Sequence, residues 1–93
     1  MDTLSDKQIV EKVANGDKES YGVLVDRHGS LVYRLALNIL RDCDAAMDVM
    51  QEAFMIAYET MDRLRNPSSF ASWIAGITKN LCRHVQKERK NTP

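Results

Sequence analysis

The sequence has 93 residues, 44% hydrophobic and 28% charged, with 4 Gly and 2 Pro. That is room for one globular domain with one modest core, and it lies outside the composition of disordered chains. No apolar run nears the roughly 20 residues of a membrane-spanning helix. The opening MDTLSDKQIV is too acidic and too short in apolar length for a signal peptide, so the expectation is a cytoplasmic protein with no membrane insertion. Cys43 and Cys82 are too few and too far apart for a disulfide framework or a paired metal site, and read as reduced thiols. His28 and His84 stand in no recognised zinc spacing, so neither a metal nor a cofactor is expected.

Apolar residues recur at helical spacing and no stretch keeps the alternation of a strand, which predicts an all-α fold: a compact bundle of four helices forming a single domain. The first helix starts at Ser5, where Ser5 and Gln8 have the form of a capping box, and stops at Asn15-Gly16. Ile9, Val10 and Val13 form its apolar stripe. Asp17 is the expected cap of a longer second helix with an inner stripe of Tyr21, Leu24, His28, Leu31 and Leu35, widened by Val25, Val32, Ala36 and Ile39. Gly29 inside it marks a place for a local bend.

Asp42 or Asp44 caps the third helix, whose buried side is Ala46, Val49, Met50, Ala53, Phe54, Ala57 and Met61. Arg63 to Ser69, with Asn66-Pro67 and two serines, reads as a loop followed by a helix start. The last helix turns Phe70, Trp73, Ile74, Ile77, Leu81 and Val85 inward, and its polar end from Lys87 is expected to fray. Phe54, Ile74 and Ile77 are expected to be buried, with Leu35 packed among them.

A net charge of zero hides a strong segregation. Asp42, Asp44, Asp48, Glu52, Glu59 and Asp62 follow one another with no Lys or Arg between them. From Arg63 onward come Arg65, Lys79, Arg83, Lys87, Arg89 and Lys90, against Glu88 alone. One surface suits cations and another suits phosphates. On the third helix Asp48, Gln51, Glu52, Met55 and Glu59 share the side opposite the apolar stripe. On the fourth, Ser72, Gly76, Lys79, Asn80, Arg83, Lys87 and Lys90 do the same. Either could be only a solvated face. Trp73, Tyr33, Tyr58 and Phe54 read as packing residues first.

The words Asp44-Ala45-Ala46-Met47-Asp48-Val49-Met50-Gln51-Glu52-Ala53-Phe54 and Phe70-Ala71-Ser72-Trp73-Ile74-Ala75-Gly76-Ile77-Thr78-Lys79-Asn80 resemble the patterns DAEDVVQEVF and FxxWLYxIARN of region 2 of extracytoplasmic-function sigma factors. Asn15-Gly16-Asp17, with Arg27-His28 and Val32-Tyr33-Arg34 downstream, is similar to the family's opening GDxxAFxxLxxRYxxxVYR. The resemblance runs from about Ile9 to Arg89. Met47 stands where Glu is common, Gly76 where a larger residue is common, and Lys79 where Arg is common.

The resemblance implies a non-enzymatic domain with two partners. The face of Asp48, Gln51, Glu52, Met55 and Glu59 would dock on the clamp helices of the RNA polymerase β′ subunit. Lys79, Asn80, Arg83 and Lys87 would meet the minus-ten element of promoter DNA, the cations on phosphates and the amide on a base edge. Arg65, Asn66, Ser68 and Ser69 lie in the position of the loop that receives a base flipped from the non-template strand. Residues 1–93 would then be one sigma region 2 domain, a piece of a longer factor whose second, minus-thirty-five-reading domain is absent from this sequence. An anti-sigma factor is a further expected partner. A competing reading is an interaction scaffold held by such an inhibitor, without DNA melting of its own.

Overall fold

The computed structural model describes residues 4–91. Four α-helices carry the described residues: α1 (Asp6–Ala14), α2 (Tyr21–Leu40), α3 (Cys43–Glu59) and α4 (Phe70–Asn91). Short 3-10 turns lie at Lys18–Ser20, Met61–Arg63 and Pro67–Ser69, and the described residues contain no strand. The all-α, four-helix expectation holds.

Local chemistry sets most of the helix ends. The Ser5 hydroxyl accepts from the Gln8 N–H at 3.2 Å and Gln8 Oε1 accepts from the Ser5 N–H at 2.8 Å, which is the expected capping box. Beyond the other end of α1, Gly16 has φ 103°, a conformation that costs any residue with a Cβ. Asp42 Oδ1 caps α3, accepting from the backbone of Asp44 at 3.0 Å and Ala45 at 3.2 Å.

Asp17 does not cap α2. A 3-10 turn intervenes, α2 begins only at Tyr21, and the Asp17 carboxylate instead accepts from the Ser20 hydroxyl at 2.8 Å. Helix α2 runs unbroken through Gly29. Helix α4 is helical through Lys87 to Asn91, and within that end Arg89 reaches back to the α2–α3 corner. Its Nη1 donates to the Leu40 carbonyl at 3.0 Å and its Nη2 lies 3.4 Å from Asp42 Oδ2. A guanidinium at the last carbonyl of α2 also opposes that helix's negative end.

The core forms two clusters. One joins Ile9 and Val10 of α1 to Leu24, Phe54, Phe70 and Ile74; the other packs Ala36 and Leu40 against Ala46, Val49 and Cys82. The buried line of α2 is Leu24, His28, Val32, Ala36 and Leu40, and that of α4 is Phe70, Ile74, Thr78 and Cys82. Both advance by fours, following an i, i+4 ridge rather than the alternating three-four stripe expected. The small drift turns Leu31 outward, to 58% exposure, and leaves Leu35 half-buried over a shallow groove between α2 and α4. Ile77 is likewise half-buried, while Phe54 and Ile74 are buried as expected.

Thr78 and Cys82, absent from the expected stripe, are fully buried. Thr78 can be so because its hydroxyl donates to the Ile74 carbonyl at 2.7 Å. Burial pushes the Cys82 thiol pKa upward, away from reactivity. Met61 lies past the end of α3, in a 3-10 turn, half-buried against the first cluster.

Candidate functional site

Helix α3 is held by its inner side, so its outer side is free to work. Ala46, Val49, Ala53, Phe54 and Ala57 are buried, and Asp48, Gln51, Glu52, Met55 and Glu59 are all exposed, Met55 at 62%. Gln51, Met55 and Glu59 line one apolar depression of about 490 Å³ with Tyr21, Phe54 and Tyr58. Asp48 and Glu52 continue the same face outside that lining.

The depression is shaped by Tyr21, which the sequence marked only as core. Its hydroxyl donates to the Phe54 carbonyl, and its ring meets those of Tyr58 and Phe70 edge to face at 5.1 and 6.5 Å between centroids. Burial holds the Tyr21 phenol protonated well above the ordinary tyrosine range. Tyr58, read as a packing residue, is 37% exposed and forms part of this surface. Its signal was available, since it stands three residues from Met55 and four from Phe54 on one helix.

The second surface begins in the connection between α3 and α4. Arg65, Asn66 and Ser68 are exposed and Ser69 is half-buried. Asn66 Oδ1 accepts from the Ser68 N–H at 3.1 Å and the Ser68 hydroxyl at 3.0 Å, and the Ser69 N–H donates to the Asn66 carbonyl at 2.8 Å. Asn66 is thus a structural cap whatever else it does. Along α4, Ser72, Gly76, Lys79, Asn80, Arg83, Lys87 and Lys90 are all exposed, so the cations do line one face. Arg83 Nη1 donates to Asn80 Oδ1 at 3.3 Å, placing a guanidinium beside the amide. Trp73 is half-buried, edge to face with Phe70 at 6.1 Å.

His28, expected on the inner stripe of α2, has an acidic partner that no local spacing indicated. Its Nε2 lies 2.8 Å from Asp6 Oδ2, and Arg27 Nη1 donates to Asp6 Oδ1 at 2.8 Å. This trio clips α1 onto α2 in a part-buried setting. Among the described residues no cluster of His, Cys, Asp and Glu could hold a metal, and no helix is long and apolar enough to cross a membrane.

The Sigma-70 region 2 family model matches residues 24–91, which takes in most of α2 and all of α3 and α4. The chain is 33% identical over 88 residues to the RNA polymerase sigma-H factor of Pseudomonas aeruginosa, covering 95% of this chain and 46% of that one. It is 35% identical over 81 residues to the ECF RNA polymerase sigma-E factor of Escherichia coli, covering 87% and 42%. With the ECF RNA polymerase sigma factor SigW of Bacillus subtilis it shares 30% over 87 residues, covering 94% and 46%. The chain therefore spans about half the length of these relatives. On the family match and these identities, it belongs to the sigma-70 region 2 family, as a domain of the extracytoplasmic-function (ECF) sigma factor type.

Proposed function

We propose that this domain acts in transcription initiation by docking on the clamp helices of the RNA polymerase β′ subunit and by recognising and melting the minus-ten element of promoter DNA. The observation that carries the proposal is the separation of two exposed surfaces of opposite charge on consecutive helices of a family member. Asp48, Gln51, Glu52, Met55 and Glu59 offer carboxylates around an apolar seat, which suits a basic helical partner with an apolar ridge. Lys79, Arg83 and Lys87 repeat every fourth residue and suit a phosphate backbone.

From Ser72 to Lys87 the basic face extends about 22 Å at 1.5 Å per residue. That is about six nucleotides at the 3.4 Å spacing of a stacked strand. Arg65, Asn66, Ser68 and Ser69 stand at the start of this track, where a base turned out of the non-template strand would meet short polar groups and a cation. Melting needs no catalytic residue, because a surface that binds the single strand more tightly than the duplex draws the equilibrium toward open DNA.

The test is capture of the purified chain by core polymerase and by a β′ clamp-helix fragment. Asp48→Lys and Glu52→Lys should weaken capture while leaving circular dichroism unchanged, since both positions are exposed. Undiminished β′ affinity in these folded variants would remove the docking role from α3.

A further inference from the structure

The loop from Arg65 to Ser69 is anchored at both ends. Leu64 before it is half-buried against the first core cluster, and Phe70 after it is fully buried. Between them Arg65, Asn66 and Ser68 are exposed and Pro67 is half-buried. The bonds from Asn66 to Ser68 and Ser69 are internal to the loop, so they set its shape and not its place on the domain. Its place is decided by what Leu64, Pro67 and Phe70 rest on.

Helix α1 supplies one support. It packs against the Pro67–Ser69 turn, and its Val10 and Val13 line an apolar cleft together with Leu64 and Pro67. Helix α2 supplies the other through His28, whose ring lies 5.5 Å from that of Phe70 between centroids. One carboxylate joins the two supports, since Asp6 of α1 meets His28 Nε2 at 2.8 Å with one oxygen and Arg27 Nη1 at 2.8 Å with the other. Nine residues make too short a helix to hold itself in water, so the seat of α1 against the loop depends on ties of this kind. The buried imidazole is gripped at a ring nitrogen by Asp6 while its ring meets Phe70, which leaves it little freedom to turn.

We propose that Asp6 and His28 are positioning residues for base capture: they make no contact with DNA, and act by holding α1 and Phe70 where the loop stands in fixed register with the start of the α4 track. Hydrogen bonds to a flipped base fade over a few tenths of an ångström, so a loop free to shift would lose its choice of base before it lost its fold. The consequence for DNA rests on the proposed function, whereas the hold of the pair on the loop does not.

The experiment compares Asp6→Ala, His28→Gln and, as a control, Val49→Ala in the second core cluster, at a temperature where circular dichroism shows each variant folded. Glutamine keeps a donor for Asp6 but takes the ring from Phe70, and the control lowers stability without touching the supports of the loop. In spectra of the isotope-labelled chain, the Ser68 and Ser69 amides should move in Asp6→Ala and His28→Gln and far less in Val49→Ala. The second readout is binding of a labelled non-template minus-ten strand, with single bases substituted in turn, in the presence of core polymerase. There Asp6→Ala and His28→Gln should lower discrimination among bases about three-fold or more, while capture by the β′ clamp-helix fragment stays within about two-fold. Unmoved Ser68 and Ser69 amides, undiminished discrimination, an equal loss in Val49→Ala or a parallel loss of β′ capture would each overturn the proposal. An unmodified chain that discriminates among no bases loses the DNA reading, whereas moved amides still uphold the hold of the pair on the loop.

Discussion

Asp6 in the first turn of α1 holds His28 of α2 through a 2.8 Å contact between Oδ2 and Nε2, and its other oxygen holds Arg27 at the same distance. Asp6 is 18% exposed and His28 10%, so neither partner can simply turn to water. Asp6→Ala would leave an imidazole and a guanidinium without their acceptor at the α1–α2 contact. It should cost about 1–3 kcal/mol of stability in urea unfolding. An unchanged midpoint would mean that Ile9 and Val10 alone fasten α1.

Tyr21 makes a similar long-range tie, from the first residue of α2 to the Phe54 carbonyl in α3. Tyr21→Phe keeps the ring and removes only the hydroxyl, at an expected cost of about 0.5–1.5 kcal/mol. The pH dependence has a definite sign. The Tyr21 pKa is raised by folding above the ordinary value of 10.0, so its contribution is fully present below pH 10 and is lost as pH climbs past that value. Thermal melts of the two proteins should therefore converge between pH 10 and the upper end of the accessible range. A constant gap there would contradict the burial of the phenol.

Glycine replacements should separate by backbone conformation. Nothing lies within 4 Å of a Cβ built on Gly29, in the middle of α2, whereas Gly16 has φ +103°. Gly29→Ala should raise the melting temperature, consistent with about 0.5–1 kcal/mol from helix propensity and a stiffer unfolded chain. Gly16→Ala should lower it, although its Cβ also meets open space. Differential scanning calorimetry decides, and a stabilising Gly16→Ala would show that α1 can end in another way.

What the sequence made legible is what neighbouring residues decide. Ser5 with Gln8 and Asp42 with the amides of Asp44 and Ala45 are local bonds, readable from residue type and spacing. The acidic side of α3 and the basic side of α4 were readable because charged residues at helical spacing have few places to go other than water. Leu31 and Leu35 were misplaced because the drift of a buried ridge is set by the helices packed against it, which no single helix encodes. Thr78 was missed because its polarity hid a hydroxyl satisfied one turn back. Asp6 with His28 and Arg89 with the Leu40 carbonyl lie 22 and 49 residues apart, beyond any local pattern. The apolar seat beside Met55 depends on Tyr21 crossing from α2, so only the folded chain discloses it.

The basic track on α4 and the preceding loop should prefer an unpaired promoter strand. The direct measurement is fluorescence anisotropy of a labelled minus-ten segment from a promoter that the assembled polymerase transcribes, as single non-template strand and as duplex, with core polymerase and this chain present. Single-strand binding should be the tighter. Arg83→Ala and Lys87→Ala should weaken all sequences alike and reduce the salt slope by up to about one per lost phosphate contact. Asn80→Ala and Ser69→Ala should instead change which base is preferred. Equal affinity for duplex and single strand, with no change of base preference in any variant, would contradict capture of the unpaired strand by this surface.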